Sequence, residues 1–445
     1  MNRSIQVAAL AFALAPSLSA PAHAQTAPRD LTLDDALAAA RRANRTLTAE
    51  KAHLAAAETA VEQAWSALFP VVTAQGKYTH NYKEADLDFG ALFGAFALRP
   101  NATPPPAVKA VILKQEQLDG QVNVTLPLIA PAAYPALDAV KKGVRSSEAS
   151  YESSEATVLT NVAQAFYLAA AADEVVVSRQ SNVGVNRATL ENAKTRFAAG
   201  TVTKVDVDRA ELALVRAEQA ELDAEYGRQQ AYRALATLIQ SNAPFTVRAG
   251  DVPAATPDET LDTALKLRPE FRALILTEES STAQGRAYGW KWSPQLSAFG
   301  LAHIGNYAGF SGDKYNWAVG LQLDWTVFDG GTRDALRHQA AAQAAEAAAR
   351  AQVLSDSIRD DLENGKRFLE TKRAAPQASV RAVALAQETL DLVRSQYEAG
   401  TVTQVDLLQA QDNLIGAQEA LARARFDVAS ADVTLRHAAG TFPGK

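Results

Sequence analysis

Two segments of the chain alternate apolar and polar residues with a period of two, the pattern of a strand with one apolar and one polar face. They cover residues 121–128 and 319–327. Each has an upstream companion of similar character, at residues 71–82 and 295–307. The pattern therefore predicts four strands in two pairs, and all five Trp residues lie in or beside them.

A period of seven residues marks the C-terminal part of the chain. It combines a large apolar column at Leu407, Leu414, Leu421, Val428 and Leu435 with an Ala column at Ala410, Ala417, Ala424 and Ala431. This pattern predicts a coiled-coil helix whose Ala positions let the axis of an antiparallel partner come close. An earlier copy carries the Ala column at Ala210, Ala217, Ala224 and Ala231.

The expected partners are long helices that precede each of these segments, at about residues 136–199 and 333–399. At 1.5 Å per residue each would span on the order of 100 Å. Pro376 lies inside the second and is expected to kink or break it, because Pro removes a backbone donor.

The chain is duplicated. Residues 197–206 read Phe-Ala-Ala-Gly-Thr-Val-Thr-Lys-Val-Asp and return 200 positions later, at residues 397–406, as Tyr-Glu-Ala-Gly-Thr-Val-Thr-Gln-Val-Asp. A period this long is too large for a stacked solenoid unit and indicates a duplicated half-protein. We interpret residues 25–445 as one unit built from two structural repeats, residues 29–245 and residues 257–441.

The repeated segment has the local chemistry of a helix-to-helix turn. Its glycines, Gly200 and Gly400, suit the left-handed residue that ends a helix. A Thr three residues later is placed to cap the next helix, and an Asp three residues beyond it completes a capping box. In chain order these capping residues are Thr203, Asp206, Thr403 and Asp406. The simplest role of both Asp is therefore to cap a helix.

Composition excludes several kinds of chemistry. The 445 residues contain no Cys, which excludes disulfides, thiolate metal sites and a Cys nucleophile. The formal net charge of −6, without a block of Lys or Arg, argues against nucleic-acid binding. The His residues lack metal-ligand spacing, and no Gly-x-Ser-x-Gly motif is present. These absences argue against an exported hydrolase and against a metal site.

The first 24 residues have the pattern of a signal peptide: Arg3 near the start, an apolar stretch at residues 7–18, and a small-x-small site at Ala22-His23-Ala24. No later apolar run approaches the roughly 20 residues that a membrane-crossing helix needs. Four strands cannot close a membrane barrel alone, because the smallest have about eight. Either several chains share one barrel, or the sheet is soluble and the protein is a periplasmic coiled-coil scaffold.

These features together resemble a known family. The chain carries two copies of the turn Phe/Tyr-x-Ala-Gly-Thr-x-Thr-x-x-Asp, and a helix with Ala-x-x-x-Leu follows each copy. A strand also ends in Val-Phe-Asp-Gly-Gly at residues 327–331. Both features are similar to those of the TolC-like outer membrane efflux proteins. The resemblance implies a mainly α fold with a small antiparallel β part. Four strands from each chain would enter a shared trimeric transmembrane β-barrel, and long helices would form a periplasmic α-helical coiled-coil tunnel.

The resemblance also implies a function, a location and partners, with no catalysis and no cofactor. It makes the chain an outer membrane exit channel of a tripartite efflux pump or of a type I secretion system. Such a channel works as a homotrimer in outer membrane lipid, with a periplasmic adaptor protein and an inner-membrane transporter. The family topology further places the connections at residues 84–117, which contain Pro104-Pro105-Pro106, and at residues 305–316 outside the cell.

The functional site that the resemblance implies is the periplasmic tip formed by the two turns. Asp406 corresponds to an acid that rings the narrow aperture, and Asp206 is its counterpart in the first repeat. Gln409 stands where some relatives carry a second acid, and Val402 where some carry a gate-locking Arg, so neither a doubled ring nor that lock is expected. The turn residues expected to contact the adaptor are Gly200, Thr201, Val202, Thr203, Gly400, Thr401, Val402 and Thr403.

Overall fold

The computed structural model describes residues 29–88, 109–250, 260–306 and 313–442, so the predicted signal peptide and the run of three prolines lie outside the described residues. The strands are β1 Arg29–Leu31, β2 Val71–His80, β3 Ala85–Asp88, β4 Lys109–Leu113, β5 Glu116–Ile129, β6 Phe245–Val247, β7 Gln295–Gly305 and β8 Tyr315–Asp324. The helices are α1 Leu33–Ala43, α2 Arg45–Ser66, α3 Ala133–Ala198, α4 Lys204–Ile239, α5 Leu261–Leu267, α6 Pro269–Trp290, α7 Thr332–Glu398 and α8 Gln404–Ala439.

The four predicted strands form one antiparallel sheet in the order β2, β5, β7, β8. Their positions are confirmed, and their ends differ. β5 begins five residues earlier than predicted, at Glu116, and β8 ends at Asp324, so Trp325 and Val327 follow the strand. Trp325 instead donates its indole N–H to the carbonyl oxygen of Trp292 at 3.1 Å, which ties the end of β8 to the segment that leads into β7.

The pairing gives this sheet two different faces. One face carries Val72, Tyr78, Leu118, Val122, Val124, Ala302, Ile304, Tyr315, Trp317, Val319 and Leu321. The other carries Thr73, Gln75, Lys77, Gln117, Asp119, Gln121, Asn123, His303, Asn316 and Gln322, with Phe299 and Leu301 among them. Most of the large side chains on the apolar face are exposed in the single chain, Val319 to 72%. The part of the chain that the structure describes therefore leaves its most apolar sheet surface uncovered.

Two short pairs of strands were not expected. The connection at residues 84–117 was predicted as a loop, yet β3 and β4 pair antiparallel within it, with Leu87 opposite Ala110. That prediction is wrong for these residues, because the Ala-Val-Ile-Leu run at 110–113 favours a strand despite the neighbouring prolines. β1 and β6 form a parallel pair of three residues each, too short to show a period in the sequence.

The two long helices are confirmed to within a few residues: α3 has 66 residues and α7 has 67. α7 continues through Pro376, so a break at this residue is wrong, and a kink there stays a prediction. Proline removes one backbone donor, and the packing of α7 on α8 keeps the rest of the helix in place. Across the described ranges, no helix offers a stretch apolar enough and long enough to cross a membrane.

The two long helices pack on different partners near the sheet and far from it. Near the sheet, α3 lies against α2 and α6, and α7 lies against α6. Farther from the sheet, α3 and α4 form a first hairpin, α7 and α8 form a second hairpin, and α8 also packs on α3. The largest apolar cluster lies where α1, α3, α4 and α8 meet, around Phe166, Leu159 and Leu235. A second cluster joins α5, α7 and α8 around Ile358 and Leu435.

The seven-residue columns predicted from the sequence lie inside the two hairpins. The buried members are Ala210, Ala217, Ala231, Leu407, Ala410, Leu414, Ala424, Ala431 and Leu435. Alternating Ala and Leu lets the two helices of a hairpin pack closely while still burying large side chains. The interpretation of these columns as packing positions is therefore confirmed.

Arg333 fixes the passage from the sheet into α7. Its Nη1 donates to the carbonyl oxygens of Lys291 and Thr326 at 3.0 and 2.8 Å, and its Nε lies 2.9 Å from Oδ2 of Asp329. Its guanidinium also lies 3.8 Å from the centroid of the Trp292 ring. A planar cation with several donors can satisfy all of these groups at once, and so one buried side chain aligns the long helix with the sheet.

Candidate functional site at the hairpin tips

The two hairpin tips are built by the same turn. Gly200 and Gly400 have φ values of +74° and +76°, which confirms the predicted left-handed conformation. In the first tip the backbone N–H of Thr201 donates to the carbonyl oxygen of Arg196 at 2.9 Å, and the second tip repeats this bond at 3.0 Å. The hydroxyls of Thr201 and Thr401 donate to the same carbonyls at 3.0 Å. This is the Schellman arrangement, in which a left-handed glycine closes the helix end.

Both predicted capping boxes are confirmed. The backbone N–H of Thr203 donates to Oδ2 of Asp206 at 3.0 Å, and its hydroxyl donates to the same oxygen at 2.8 Å. The distances from Thr403 to Oδ2 of Asp406 are 2.9 and 2.7 Å. The two helices that leave the tips therefore begin in the same way, with a carboxylate near the positive end of the helix dipole.

These hydrogen bonds also set the charge state of the two acids. The hydroxyl and then the backbone N–H of Thr203 lower the pKa of Asp206 below its ordinary value of 3.8. Thr403 lowers the pKa of Asp406 in the same way, because hydrogen bonds to a carboxylate favour its ionised form. Both carboxylates therefore stay ionised throughout the neutral and mildly acidic range.

The neighbours of these acids differ between the two repeats. Nη1 of Arg209 lies 3.8 Å from Oδ1 of Asp206, so a cation accompanies the first carboxylate. The equivalent position in the second repeat is Gln409, whose amide donates to Oδ1 of Asn413 at 3.2 Å. Asp406 is exposed at the surface. The second tip thus presents the less compensated of the two charges.

The turn residues predicted to contact a partner all lie at the end of the hairpins. Both glycines and all four threonines are exposed, while Val202 and Val402 are half-buried. Val402 packs against the apolar cluster of the second tip, which contains Leu390, Tyr397 and Leu407. The tips therefore offer a surface of hydroxyls and backbone groups, with a valine anchored beneath it in the second repeat.

One residue that connects the two tips, Arg196, was not predicted from the sequence. Its Nη1 donates to the carbonyl oxygen of Tyr397 and its Nη2 to that of Glu398, both at 3.2 Å. Its guanidinium lies 4.8 Å from the centroid of the Tyr397 ring. One signal for it was present in the sequence, because the position equivalent to Arg196 in the second repeat is the uncharged Gln396.

The arrangement at the tips suits electrostatic attraction and docking. The two capped carboxylates are exposed or half-exposed at the surface. They lack the buried surroundings that tune the pKa of a catalytic acid or base toward neutral pH. Among the described residues, no cluster of three or more His, Asp or Glu side chains is placed to hold a metal ion.

The comparisons with known proteins agree with this architecture. A family profile described as outer membrane efflux protein matches residues 36–240 and 260–441. The nodulation protein T of Rhizobium leguminosarum bv. trifolii is 29% identical over 304 residues, or 64% of each chain. The outer membrane efflux protein BepC of Brucella suis biovar 1 is 25% identical over 276 residues, or 60% of this chain and 59% of its own length. The chain thus spans less than two thirds of these two relatives.

A solved structure shows the same fold. The Campylobacter jejuni CmeC outer membrane channel matches with a TM-score of 0.74 at 16% identity, over 92% of this chain and 85% of that one. The profile match covers the greater part of the chain on both sides of residue 250 and includes both hairpins. The chain belongs to the outer membrane efflux protein family.

Proposed function

We propose that the chain is the outer membrane exit channel of a tripartite efflux pump or of a type I secretion system. Three copies assemble, four strands from each close one barrel in outer membrane lipid, and the long helices continue it as a periplasmic tube. A periplasmic adaptor and an inner-membrane transporter complete the assembly. Residues 1–24 act as a removed signal peptide, and residues 29–245 and 257–441 are the two repeats. As a family member, the protein resides in the outer membrane and extends into the periplasm.

The observation that carries this proposal is the four-stranded sheet with one exposed apolar face. β2 and β8 lie at its ends, and within the described residues each pairs with only one neighbouring strand. In lipid such open edges cost several kcal/mol for each unsatisfied backbone group, so the strands must close with those of other copies. An apolar outer face and a polar inner face are what a shared, water-filled barrel requires.

The helices support the same assembly. α8 packs on both α7 and α3, whereas α4 packs mainly on α3. As a result Ile415 and Ala422 are buried in α8, while their equivalents in α4, Val215 and Leu222, are 55% and 71% exposed. The two repeats have the same fold, so α7 of a neighbouring copy can cover α4 as α3 covers α8. Repeating this head-to-tail contact closes a ring.

Cysteine cross-linking tests this arrangement. In the α3–α8 contact, Nε2 of Gln411 lies 3.0 Å from Oγ1 of Thr189. The equivalent positions, shifted by 200 residues, are Glu211 and Thr389, and they should meet between copies. Because the chain has no Cys, a Glu211→Cys/Thr389→Cys variant should give covalent oligomers up to trimer on oxidation. A Thr189→Cys/Gln411→Cys variant, as the matched control, should cross-link within one chain.

The runner-up function, a periplasmic scaffold with a soluble sheet, makes opposite predictions. The scaffold would leave the membrane fraction without detergent and would not conduct ions in a planar lipid bilayer. The channel needs detergent for extraction and conducts. A Glu211→Cys/Thr389→Cys protein that stays monomeric, in a preparation where the control pair oxidises, contradicts the proposed trimer.

Within this channel we assign the tips two roles. Asp406 lines the periplasmic aperture, and Gln409 lines it one helical turn later in α8. Asp206 contributes less negative charge to the aperture, because Arg209 lies beside it. The adaptor docks on the exposed turn residues, which are Gly200, Thr201, Val202, Thr203, Gly400, Thr401, Val402 and Thr403. Three carboxylates around a confined aperture would favour cations over anions, since repulsion between like charges is stronger away from bulk water.

A further inference from the structure

The polar face of the four-stranded sheet is interrupted by an apolar band. The residues of this band lie in two neighbouring rows of the pairing, and they are Val71, Phe299, Leu301, Ala318 and Gly320. The rows on either side are polar, with Gln121 opposite His303 on one side and Ser297 opposite Gln322 on the other. A face that is otherwise built for water thus carries one strip of apolar surface.

A glycine makes room for the largest side chain of this band. A Cβ atom at Gly320 would lie 2.9 Å from Cε1 of Phe299 and 3.0 Å from its Cζ, whereas carbon atoms pack at about 3.5–4.0 Å. The ring of Phe299 therefore lies across β8, directly against the backbone of Gly320. Phe299 is half-buried in this position, so part of its ring stays open to the space in front of the polar face.

An exposed acid lies on the same face where β8 ends, on the side of α7. Asp324 is four residues from Gly320 along β8, a distance of about 13 Å. The amide of Gln322 donates to both carboxylate oxygens of Asp324, at 2.9 and 3.1 Å. Asp119, toward the other end of the face, instead lies 3.2 Å from Nε2 of His303. The apolar band is thus followed, toward α7, by a carboxylate held by an uncharged donor.

We propose that Phe299, Leu301 and Asp324 form a binding site for amphiphilic organic cations inside the barrel. This inference rests on the proposed channel function, because the polar face lines an enclosed space only when the copies assemble. The apolar tail of such a molecule lies on Phe299 and Leu301, where it leaves water, and its ammonium group faces Asp324. A hydrophilic ion gains only the second contact. The site therefore favours cargo that carries its charge at one end of an apolar tail.

Blockade of single-channel current tests the site. The probes are butyl-, hexyl- and octyltrimethylammonium, added to the wild-type trimer in planar lipid bilayers. All three carry the same charge, so any acid of the channel attracts them equally, and only the apolar tail differs. We expect the affinity to rise about twofold for each added CH₂, half of the roughly fourfold gain that full burial would give. The ratio of octyl to butyl affinity should therefore be about 16.

Two variants separate the apolar contact from the charge. Phe299→Ser should lower the octyl-to-butyl ratio to about four, because the tail loses most of its apolar support, and Phe299→Leu should keep most of it. Asp324→Asn should weaken all three probes by about the same factor of two, the effect of one charge about 8 Å away in water, and leave the ratio unchanged. Gln75→Ser shortens an exposed side chain of the same face and, as the matched control, should change neither quantity.

The opposing interpretation is that Phe299 only covers Gly320 and so stabilises the strand pair. In that case Phe299→Ser lowers the melting temperature of the trimer and leaves the octyl-to-butyl ratio at its wild-type value, which overturns the site. An equal fall of the ratio in Gln75→Ser also overturns it. If Phe299→Ser does not assemble, Leu301→Ser decides by the same ratio.

The remaining outcomes separate the site from the channel. Wild-type affinities in Asp324→Asn overturn the placement of the ammonium group. A conducting wild type whose blockade does not depend on tail length overturns the site and leaves the channel standing. A wild-type trimer that does not conduct overturns the channel itself.

Discussion

The two hairpins share one design and occupy different surroundings. Both have a left-handed glycine at the tip and a Thr–Asp capping box at the start of the returning helix. The second hairpin, however, packs against α3 of the first repeat, so that Tyr397 and Ile415 are buried where Phe197 and Val215 are exposed. The difference shows that about ten residues suffice for the turn, while burial depends on which helix lies alongside.

The electrostatics of the two tips differ for a similar reason. Both acids are capped and ionised, but Arg209 accompanies only Asp206, and Arg196 of the first repeat reaches the end of the second hairpin. The first repeat thus supplies both cations. Differences at a few positions thus leave one tip with a compensated acid and the other with an uncompensated acid, at the start of the helix that follows the α7 end bound by Arg196.

The largest effect, on folding or on trimer formation, should come from placing a charge on the helix face that is buried in α8 and exposed in α4. Ile415→Asp buries an unpaired carboxylate within the chain and should cost about 4 kcal/mol or more of unfolding free energy. Val215→Asp changes an exposed residue of the single chain, so the monomer should fold while the trimer fails to form. Thermal melts followed by circular dichroism, with trimer content on gels, measure both. A Val215→Asp protein with normal trimers would mean that no neighbouring copy covers α4.

Where the two hairpins share the same packing, matched substitutions should cost the same. Leu190 and Leu390 occupy equivalent positions and are both buried. Leu190→Ala and Leu390→Ala should each cost about 2–5 kcal/mol, the range for removing a large side chain from a packed core. Denaturant titrations of the two variants give the comparison. A much smaller cost for Leu190→Ala would show that the interior of the first hairpin is less tightly packed than its sequence pattern indicates.

Charge at the aperture should depend mainly on the second repeat. Asp406→Asn keeps a capping oxygen and should lower the ratio of cation to anion permeability by about fivefold or more, because each of the three carboxylates attracts a cation and repels an anion by about 0.5 kcal/mol at about 8 Å in water. Asp206→Asn should change it less, because Arg209 already offsets that acid. Reversal potentials across a salt gradient measure both, and equal selectivity of Asp406→Asn and the wild type would leave Asp406 only its capping role.

The pH dependence of this selectivity follows from the lowered pKa of Asp406. A carboxylate with a lowered pKa stays charged as the pH falls to its ordinary value of 3.8 and loses its charge only below it. We therefore expect constant cation selectivity from neutral pH down to that value. A loss of selectivity well above it, absent in Asp406→Asn, would show that repulsion among the three carboxylates of the assembled channel outweighs the capping hydrogen bonds.

The smallest effect should be on the pH dependence of stability, and it concerns the C-terminal ends of α4 and α8. Burial and the charge of Arg268 lower the pKa of His437, in the last turn of α8, below 6.5, and the acids Glu270 and Asp361 partly offset this shift. The equivalent residue in α4 is the exposed Thr237. The unfolded chain binds a proton at this His more readily than the folded chain does. The contribution of His437 to the free energy of unfolding is therefore fully present above pH 6.5 and is lost as the pH drops below that value. His437→Gln should flatten this part of the profile, as measured by denaturant titrations at a series of pH values. An unchanged slope would assign the acid sensitivity to other groups.

Local periodicity was sufficient for most of the secondary structure. The alternation around Val122 and Val319, the seven-residue columns and the turn at Gly200 and Gly400 each predicted the element that the structure contains. In each case the signal comes from neighbours in the chain, since a strand, a helical face or a capped turn is determined by residues within about two turns of one another. The four strands and the two long helices could therefore be placed without knowing what they contact.

Tertiary structure decided whatever depends on two surfaces meeting. α7 passes through Pro376 because its packing on α8 compensates for one lost donor. Arg333 and Arg196 have no special spacing in the sequence, yet the first aligns the sheet with α7 and the second joins the two tips. A cation's partners are set by which helix end lies within about 3 Å of its nitrogens. Residues as far apart as Arg196 and Glu398 come that close only after both hairpins have folded and packed together.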